Sequence, residues 1–179
     1  MRKLVASFFI TLDGVVENPQ SWQGPYFDQE MGAALGGAMA ESSGFVLGRV
    51  TYEEWAGFWP NQPADDPMAA AMNSAQKYVA SATLETADWQ KSTILRGDAT
   101  EAIAELKRDE GGELQSSGST TLVRSLLEAG LIDELRLMIH PVVVGRGRRL
   151  FEPGDDYRLK LVGSDTFGSG VVSATYDCR

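Results

Sequence analysis

The chain has one cysteine, Cys178, placed next to last, and one histidine, His140, in 179 residues. A single thiol rules out any intrachain disulfide, so nothing demands an oxidising compartment and a reduced cytoplasm is the expected setting. Without clustered Cys and His or a spaced set of carboxylates, no metal site is expected. Positive charge is scarce too: 16 Lys and Arg face 25 Asp and Glu, a formal net charge of -9. That balance opposes non-specific attachment to nucleic acid or to an anionic membrane, and any anion site must be made by local arginines and backbone amides. Long apolar runs are missing as well. Leu4 to Leu12 is too short for a membrane span, contains Ser7 and Thr11, and is not followed by a small-residue cleavage pattern. No internal repeat, long linker or low-complexity tract occurs, and Gly145 to Arg149 (GRGRR) is the one dense basic patch.

What remains is 43% hydrophobic and 23% charged, an ordinary composition that argues against disorder, at a length suited to one domain over residues 1–179. Lys3 to Ile10 (KLVASFFI) predicts a buried strand leaving through Thr11-Leu12-Asp13-Gly14. Glu17 to Phe27 (ENPQSWQGPYF) combines prolines, a glycine and aromatics, which suits a loop that covers a pocket and keeps it dry. With Asp28 as N-cap, Met31, Ala34, Leu35, Ala38 and Met39 recur at helical spacing, and Ser42-Ser43-Gly44 marks the stop before a strand at Phe45 to Leu47. Short helices are predicted at Thr51 to Trp59 and Met68 to Asn73, with strands at Tyr78 to Ala80 and Ser92 to Leu95 and a further helix at Ala99 to Arg108. Strands alternating with helices imply a mostly parallel sheet. After Gly130 the pattern changes: Asp133 to Ile139 alternates in strand fashion, and Tyr157 to Phe167 with Gly170 to Tyr176 predict an antiparallel pair joined by Gly168-Ser169.

Two segments far apart carry the strongest functional signal. Phe45 to Glu54 (FVLGRVTYEE) and Gly112 to Leu131 (GELQSSGSTTLVRSLLEAGL) each end a predicted strand in a glycine-containing turn before a helix. A helix N-terminus favours an anion by ~0.3–1 kcal/mol. Gly118 lets the backbone approach that anion closely, and Ser117, Ser119, Thr120 and Thr121 surround it with hydroxyls. Arg49, directly after Gly48, sets a guanidinium at a strand exit, a shape suited to phosphate; a surface ion pair with Glu53 or Glu54 is the competing reading. Thr51 can donate to a pyrophosphate, cap the helix, or both. Together these turns read as two halves of one site for a phosphorylated nucleotide, with plain helix capping as the alternative for Ser117 to Thr121. His140, just before Pro141, has no partner motif and reads as a packing or hydrogen-bonding residue rather than a catalytic one. Asp13 either touches a substrate or makes an Asx turn before Gly14. The GRGRR patch is either an anion contact or a solvated loop.

TLDGVV at Thr11 to Val16, GRVTYE at Gly48 to Glu53, KYVAS at Lys77 to Ser81, SSGSTTL at Ser116 to Leu122 and HPVVVGRGRRLF at His140 to Phe151 occur in an order that resembles the dihydrofolate-reductase-like superfamily. Within it, the chain is most similar to the branch typified by the reductase domain of the bifunctional riboflavin-biosynthesis deaminase-reductase. The resemblance spans nearly the whole chain and implies a three-layer α/β fold, a mostly parallel sheet with an antiparallel C-terminal hairpin, and NADPH lying across the C-terminal strand ends. It implies cofactor contacts from Gly48, Arg49, Thr51, Ser81, Gly118, Ser119, Thr120 and Thr121, with Arg49 at the adenosine 2′-phosphate and Ser81 near the adenosine end. Relatives show a glycine pair or His-Gly-Ser where this chain has Ser-Gly-Ser. Dihydrofolate reductases place a carboxylate on the helix before the Gly-Arg strand; the matching position here falls near Gly32, with Asp28 and Glu30 as displaced candidates beside Asp13. The resemblance also implies a homodimer pairing through the strand after Asp133, where Leu137, Ile139, Val142 and Val144 suit an interface or a sheet core equally. The expected activity is NADPH-dependent hydride transfer to a small heterocyclic or imine substrate, such as a ribosylaminopyrimidine of riboflavin biosynthesis, although no deaminase segment precedes the domain in this sequence. A non-catalytic dimeric ligand-binding protein on the same scaffold and a dihydrofolate reductase proper are the alternatives.

Overall fold

A computed structural model describes residues 1–179. Its strands are β1 (Leu4–Thr11), β2 (Ser42–Gly48), β3 (Lys77–Ala80), β4 (Ser92–Leu95), β5 (Glu113–Ser117), β6 (Glu134–His140), β7 (Lys160–Thr166) and β8 (Val172–Asp177). They form one sheet in the order β4-β3-β2-β5-β1-β6-β8-β7. Strands β1 to β6 run parallel, β8 is antiparallel to β6, and β7 is antiparallel to β8. The helices are α1 (Gln29–Glu41), α2 (Arg49–Phe58), α3 (Pro67–Ser74), α4 (Ala99–Arg108) and α5 (Thr120–Glu128).

Alternation along the strands divides the core between the two faces of the sheet. Leu4, Ala6, Phe8, Val46, Leu114, Leu135 and Leu137 pack under Ile103 of α4 and Val123 and Leu126 of α5. On the other face, Phe45, Leu47 and Val79 meet Tyr52 of α2 and Met72 of α3, and Met31 of α1 meets Phe167 and Val171. Central β1 is covered on both faces, which explains its nearly unbroken apolar run. Local chemistry sets the helix starts: the carboxylates of Asp28, Asp66 and Asp98 accept first-turn amides of α1, α3 and α4.

Three details differ from expectation. Helix α1 passes into β2 without a loop, so Ser42 and Ser43 begin the strand instead of only stopping the helix. Ser43 Oγ donates to the carbonyls of Gly112 and Glu113 at 2.8 and 3.0 Å, an anchor that no periodicity records. Tyr157 to Leu159 stay outside β7, with Leu159 turned onto the core and Tyr157 against Phe151. Leu137 lies in the core and Ile139 packs against it, so both side chains serve the sheet and not an exposed interface. Outermost β7 is exposed along its whole length.

Candidate functional site

The parallel topology brings the exits of β2 and β5 side by side and begins a helix at each. Side chains then stitch the two turns together. Gly48 N donates to Ser119 Oγ at 2.8 Å, Ser119 N donates to Thr51 Oγ1 at 2.9 Å, and Ser119 Oγ donates to Thr51 Oγ1 at 2.9 Å. Gly118 has φ +75, and a Cβ there would stand 2.8 Å from both Cγ2 and Oγ1 of Thr51, so only glycine fits this approach. Ser119 occupies the left-handed region as N-cap of α5 but makes no side-chain cap to that helix. Its hydroxyl is spent on the β2 turn, which leaves the first amides of α5 without a side-chain cap or i−4 carbonyl partners. Beside them Thr120 is 2% exposed, and its buried Oγ1 has no hydrogen-bond partner. Thr121 is exposed. This is a cradle of amides and hydroxyls at adjoining helix N-termini, well suited to an anion.

Arg49 is the first residue of α2 and pairs with Glu53, Nη1 to Oε2 2.7 Å, with both side chains nearly half exposed. A pair of this kind contributes only about 0.3–0.5 kcal/mol, so a phosphate can displace the glutamate readily. Ser81 follows β3, whose Ala80 lies in register with Gly48 of neighbouring β2, and its Oγ accepts the amides of Leu84 at 2.9 Å and Thr83 at 3.2 Å, forming a turn beside the β2 exit. A cleft of about 760 Å³ lies elsewhere, at the N-terminal strand ends near Ser42, Gln76 and Lys91, and none of the cradle residues lines it.

The candidate acids are all engaged. Asp13 accepts the Thr11 hydroxyl at 2.6 Å and the amides of Gly145 and Val144 at 2.8 and 3.2 Å. The Thr11 hydrogen bond foremost, with those amides, holds its pKa down at about 2. Asp28 accepts Met31 N at 2.8 Å and Ser169 N at 3.0 Å, and the Met31 bond foremost lowers its pKa. Glu30 accepts Gly168 N at 2.6 Å. Asp28 and Glu30 therefore clamp the β7–β8 turn to the start of α1, while Asp13 clamps the loop after β6. Gly32 sits one residue after Met31 inside α1, with Phe27 3.8 Å from where its Cβ would be. The basic patch is partly neutralised: Arg148 lies 3.5 Å from Glu17, and Arg149 lies 3.8 Å from Asp13.

His140 ends β6 opposite Thr11 and is fully buried. Its Nδ1 stands 2.8 Å from Met138 O, and Nε2 has no partner. Phe9, Trp22 and Tyr26 enclose the imidazole edge-on, with centroids 5.7, 5.1 and 5.8 Å away. Burial foremost pushes its pKa below the usual value.

Residues 2–173 match the family model of the RibD C-terminal domain. The chain belongs to this family. It is 30% identical over 182 residues to "Uncharacterized protein YyaP" of Bacillus subtilis (strain 168), covering 98% of this chain and 94% of that protein. The crystal structure of a putative riboflavin biosynthesis protein from Shewanella sp. PV-4 superposes with a TM-score of 0.74 at 20% identity, over 98% of each chain. A dihydrofolate reductase from Enterococcus faecalis, complexed with NADP(H), superposes with a TM-score of 0.65 at 14% identity, over 98% of this chain and 95% of that one. The three-layer architecture is thus the dihydrofolate-reductase-like fold, and the family is that of a riboflavin-type reductase domain, which implies oxidoreductase chemistry. No helix of this RibD C-terminal domain is long and apolar enough to cross a membrane.

Both strand-exit turns of the RibD-type domain are legible in the sequence, but their mutual stitching, which links residues 68 and 71 positions apart, is not. Nor is the ring cage. Trp22 and Tyr26 lie in an irregular loop with no period, and only the aromatic content of that loop hinted at a covering role.

Proposed function

We propose that the chain is an NADPH-dependent reductase that transfers a hydride to a small heterocyclic or imine substrate, of which a ribosylaminopyrimidine is one candidate. The observation that carries this reading is the cradle made where Thr51 and Ser119 join two strand-exit turns, with Gly118 letting Thr51 approach closely and Arg49 at its edge. The residues present fit NADPH: uncapped amides of α5, the unpartnered Thr120 hydroxyl and the weakly held Arg49 suit its pyrophosphate and 2′-phosphate. When bound, the cofactor supplies the hydride.

The protein's own work is binding, orientation and exclusion of water. Thr51 and Ser119 hold the cradle rigid, so no reorganisation is needed as phosphate enters. The Glu17 to Phe27 loop covers the exits of β1 and β6 through Trp22 and Tyr26. Asp13 and Asp28 stay ionised near neutrality and serve as clamps, which makes solvent the proton source in this account. The same engagement favours a second reading, a nucleotide-binding protein without turnover. Dihydrofolate reduction proper is disfavoured, because Gly32 stands where the ring-binding carboxylate is expected. The proposal includes a homodimer, though not through Leu137 or Ile139.

Calorimetric titration of wild type and Gly118→Ala with NADPH tests the site. Binding by wild type, lost in the variant, is the expected result. Equal affinity in both would place the cofactor elsewhere. Oxidation of NADPH by an added candidate heterocycle then separates enzyme from binder.

A further inference from the structure

The buried imidazole of His140 holds an unanswered hydrogen-bonding capacity. A carbonyl only accepts, so the 2.8 Å contact of Nδ1 with Met138 O fixes the proton on Nδ1. In the neutral ring Nε2 is then an acceptor, fully enclosed and without a hydrogen-bond partner, with the backbone of Ile10 also close to the ring. Leaving such a group unpaired costs roughly 1–3 kcal/mol, and an apolar residue would have filled the same space without that cost.

Its surroundings come from one strand and one loop. Phe9 belongs to β1 and is fixed by the sheet, with Met138 as its neighbour in register on β6. Trp22 and Tyr26 come from the irregular loop, in short 3-10 turns. Trp22 Nε1 donates to Glu17 O inside that same loop, and Tyr26 OH reaches Pro141 O at a long 3.5 Å. Lifting the two rings therefore breaks no strand, and it draws Tyr26 away from Met31, Phe167 and Val171 and exposes Trp22, which is 8% exposed here. The position lies at the C-terminal strand ends, two strands from the Ser117 to Thr121 turn, since β1 separates β5 from β6.

We propose that His140 Nε2 is the polar anchor of the substrate ring: Trp22 and Tyr26 withdraw or restack, and a planar heterocycle presenting an N–H donor takes their place between Phe9 and the loop and hydrogen-bonds Nε2. The inference rests on the reductase reading for the cofactor and adds the residue that selects the substrate. Specificity follows from the acceptor. A ring edge bearing N–H is taken, whereas a carbonyl, carboxylate or phosphate turned toward Nε2 is repelled.

As the one histidine, His140 gives a single pair of imidazole nitrogen signals that need no assignment by mutation. The probes are 2,4-diaminopyrimidine and its donor-free counterpart 2,4-dimethylpyrimidine, added to histidine-labelled chain with NADPH present. The expected result is a shift of the Nε2 signal alone with the diamino ring, affinity about tenfold above that of the dimethyl ring, and loss of this preference in His140→Phe. Equal affinities, a silent Nε2 signal, no binding of either ring, or an unchanged preference in the variant would each overturn the proposal. If His140→Phe does not fold, the wild-type signal and the diamino-to-dimethyl ratio decide alone. NADPH binding with a silent Nε2 refutes this inference and leaves the reductase standing; an Nε2 shift without NADPH binding does the reverse.

Discussion

At the residue scale, the proposed discrimination between cofactors turns on the ion pair of Arg49 and Glu53. The glutamate holds the guanidinium in place of a phosphate and adds a negative charge beside the site. Glu53→Gln should raise NADPH affinity roughly twofold, the equivalent of the 0.3–0.5 kcal/mol such a pair contributes, and should leave NADH unaffected; paired titrations check this. Gly118→Ala forces a side chain into contact with Thr51 at a positive φ. It should lower stability by about 1–3 kcal/mol in urea unfolding and abolish cofactor binding. His140 and the aspartates give opposite ends of an acid profile. The folded pKa of His140 lies below the 6.5 of an unperturbed imidazole, so the unfolded chain takes up a proton first, and stability falls as pH drops below that value. Asp13, held at about 2, and Asp28, also lowered, contribute stability that is present above about pH 4 and lost below it. His140→Phe should flatten the upper limb of a stability–pH curve and leave the lower limb intact.

At the element scale, the order of helices and strands was legible, and so was the change to antiparallel pairing after Gly130. Period and punctuation carry that information. Joints between elements were not legible, because they depend on contacts across the chain. Direct passage of α1 into β2 rests on Ser43 meeting Gly112 and Glu113. Lys107, near the end of α4, is 7% exposed and holds Asp133 at 2.6 Å, with the Leu131 carbonyl also accepting from its ammonium. Asp133 in turn accepts Leu4 N at 2.8 Å, so one carboxylate joins α4, β1 and the approach to β6. Asp133→Ala leaves a buried ammonium without its counter-charge and should cost about 3–5 kcal/mol. Lys107→Met should cost clearly less, as chemical denaturation of the two variants will show. At the candidate site, Gly48, Arg49 and Gly118 were readable from strand-exit glycine chemistry. The engagement of Asp13, Asp28 and Glu30 by distant loops was not.

At the scale of the whole molecule, a chain with net charge -9 binds a polyanionic cofactor only if local geometry overcomes the overall field. The stitched turns, two helix N-termini and Arg49 are the geometry proposed to do so. The homodimer implied by the resemblance predicts a mass near twice 19.4 kDa by light scattering; a concentration-independent monomer mass would remove it. The central claim is a cofactor site that reads a 2′-phosphate. Its most direct test is titration of wild type and Arg49→Ala with NADPH and with NADH. Tighter binding of NADPH by wild type, reduced to the NADH level by the substitution, is the predicted result; no binding of either nucleotide by wild type would contradict the account.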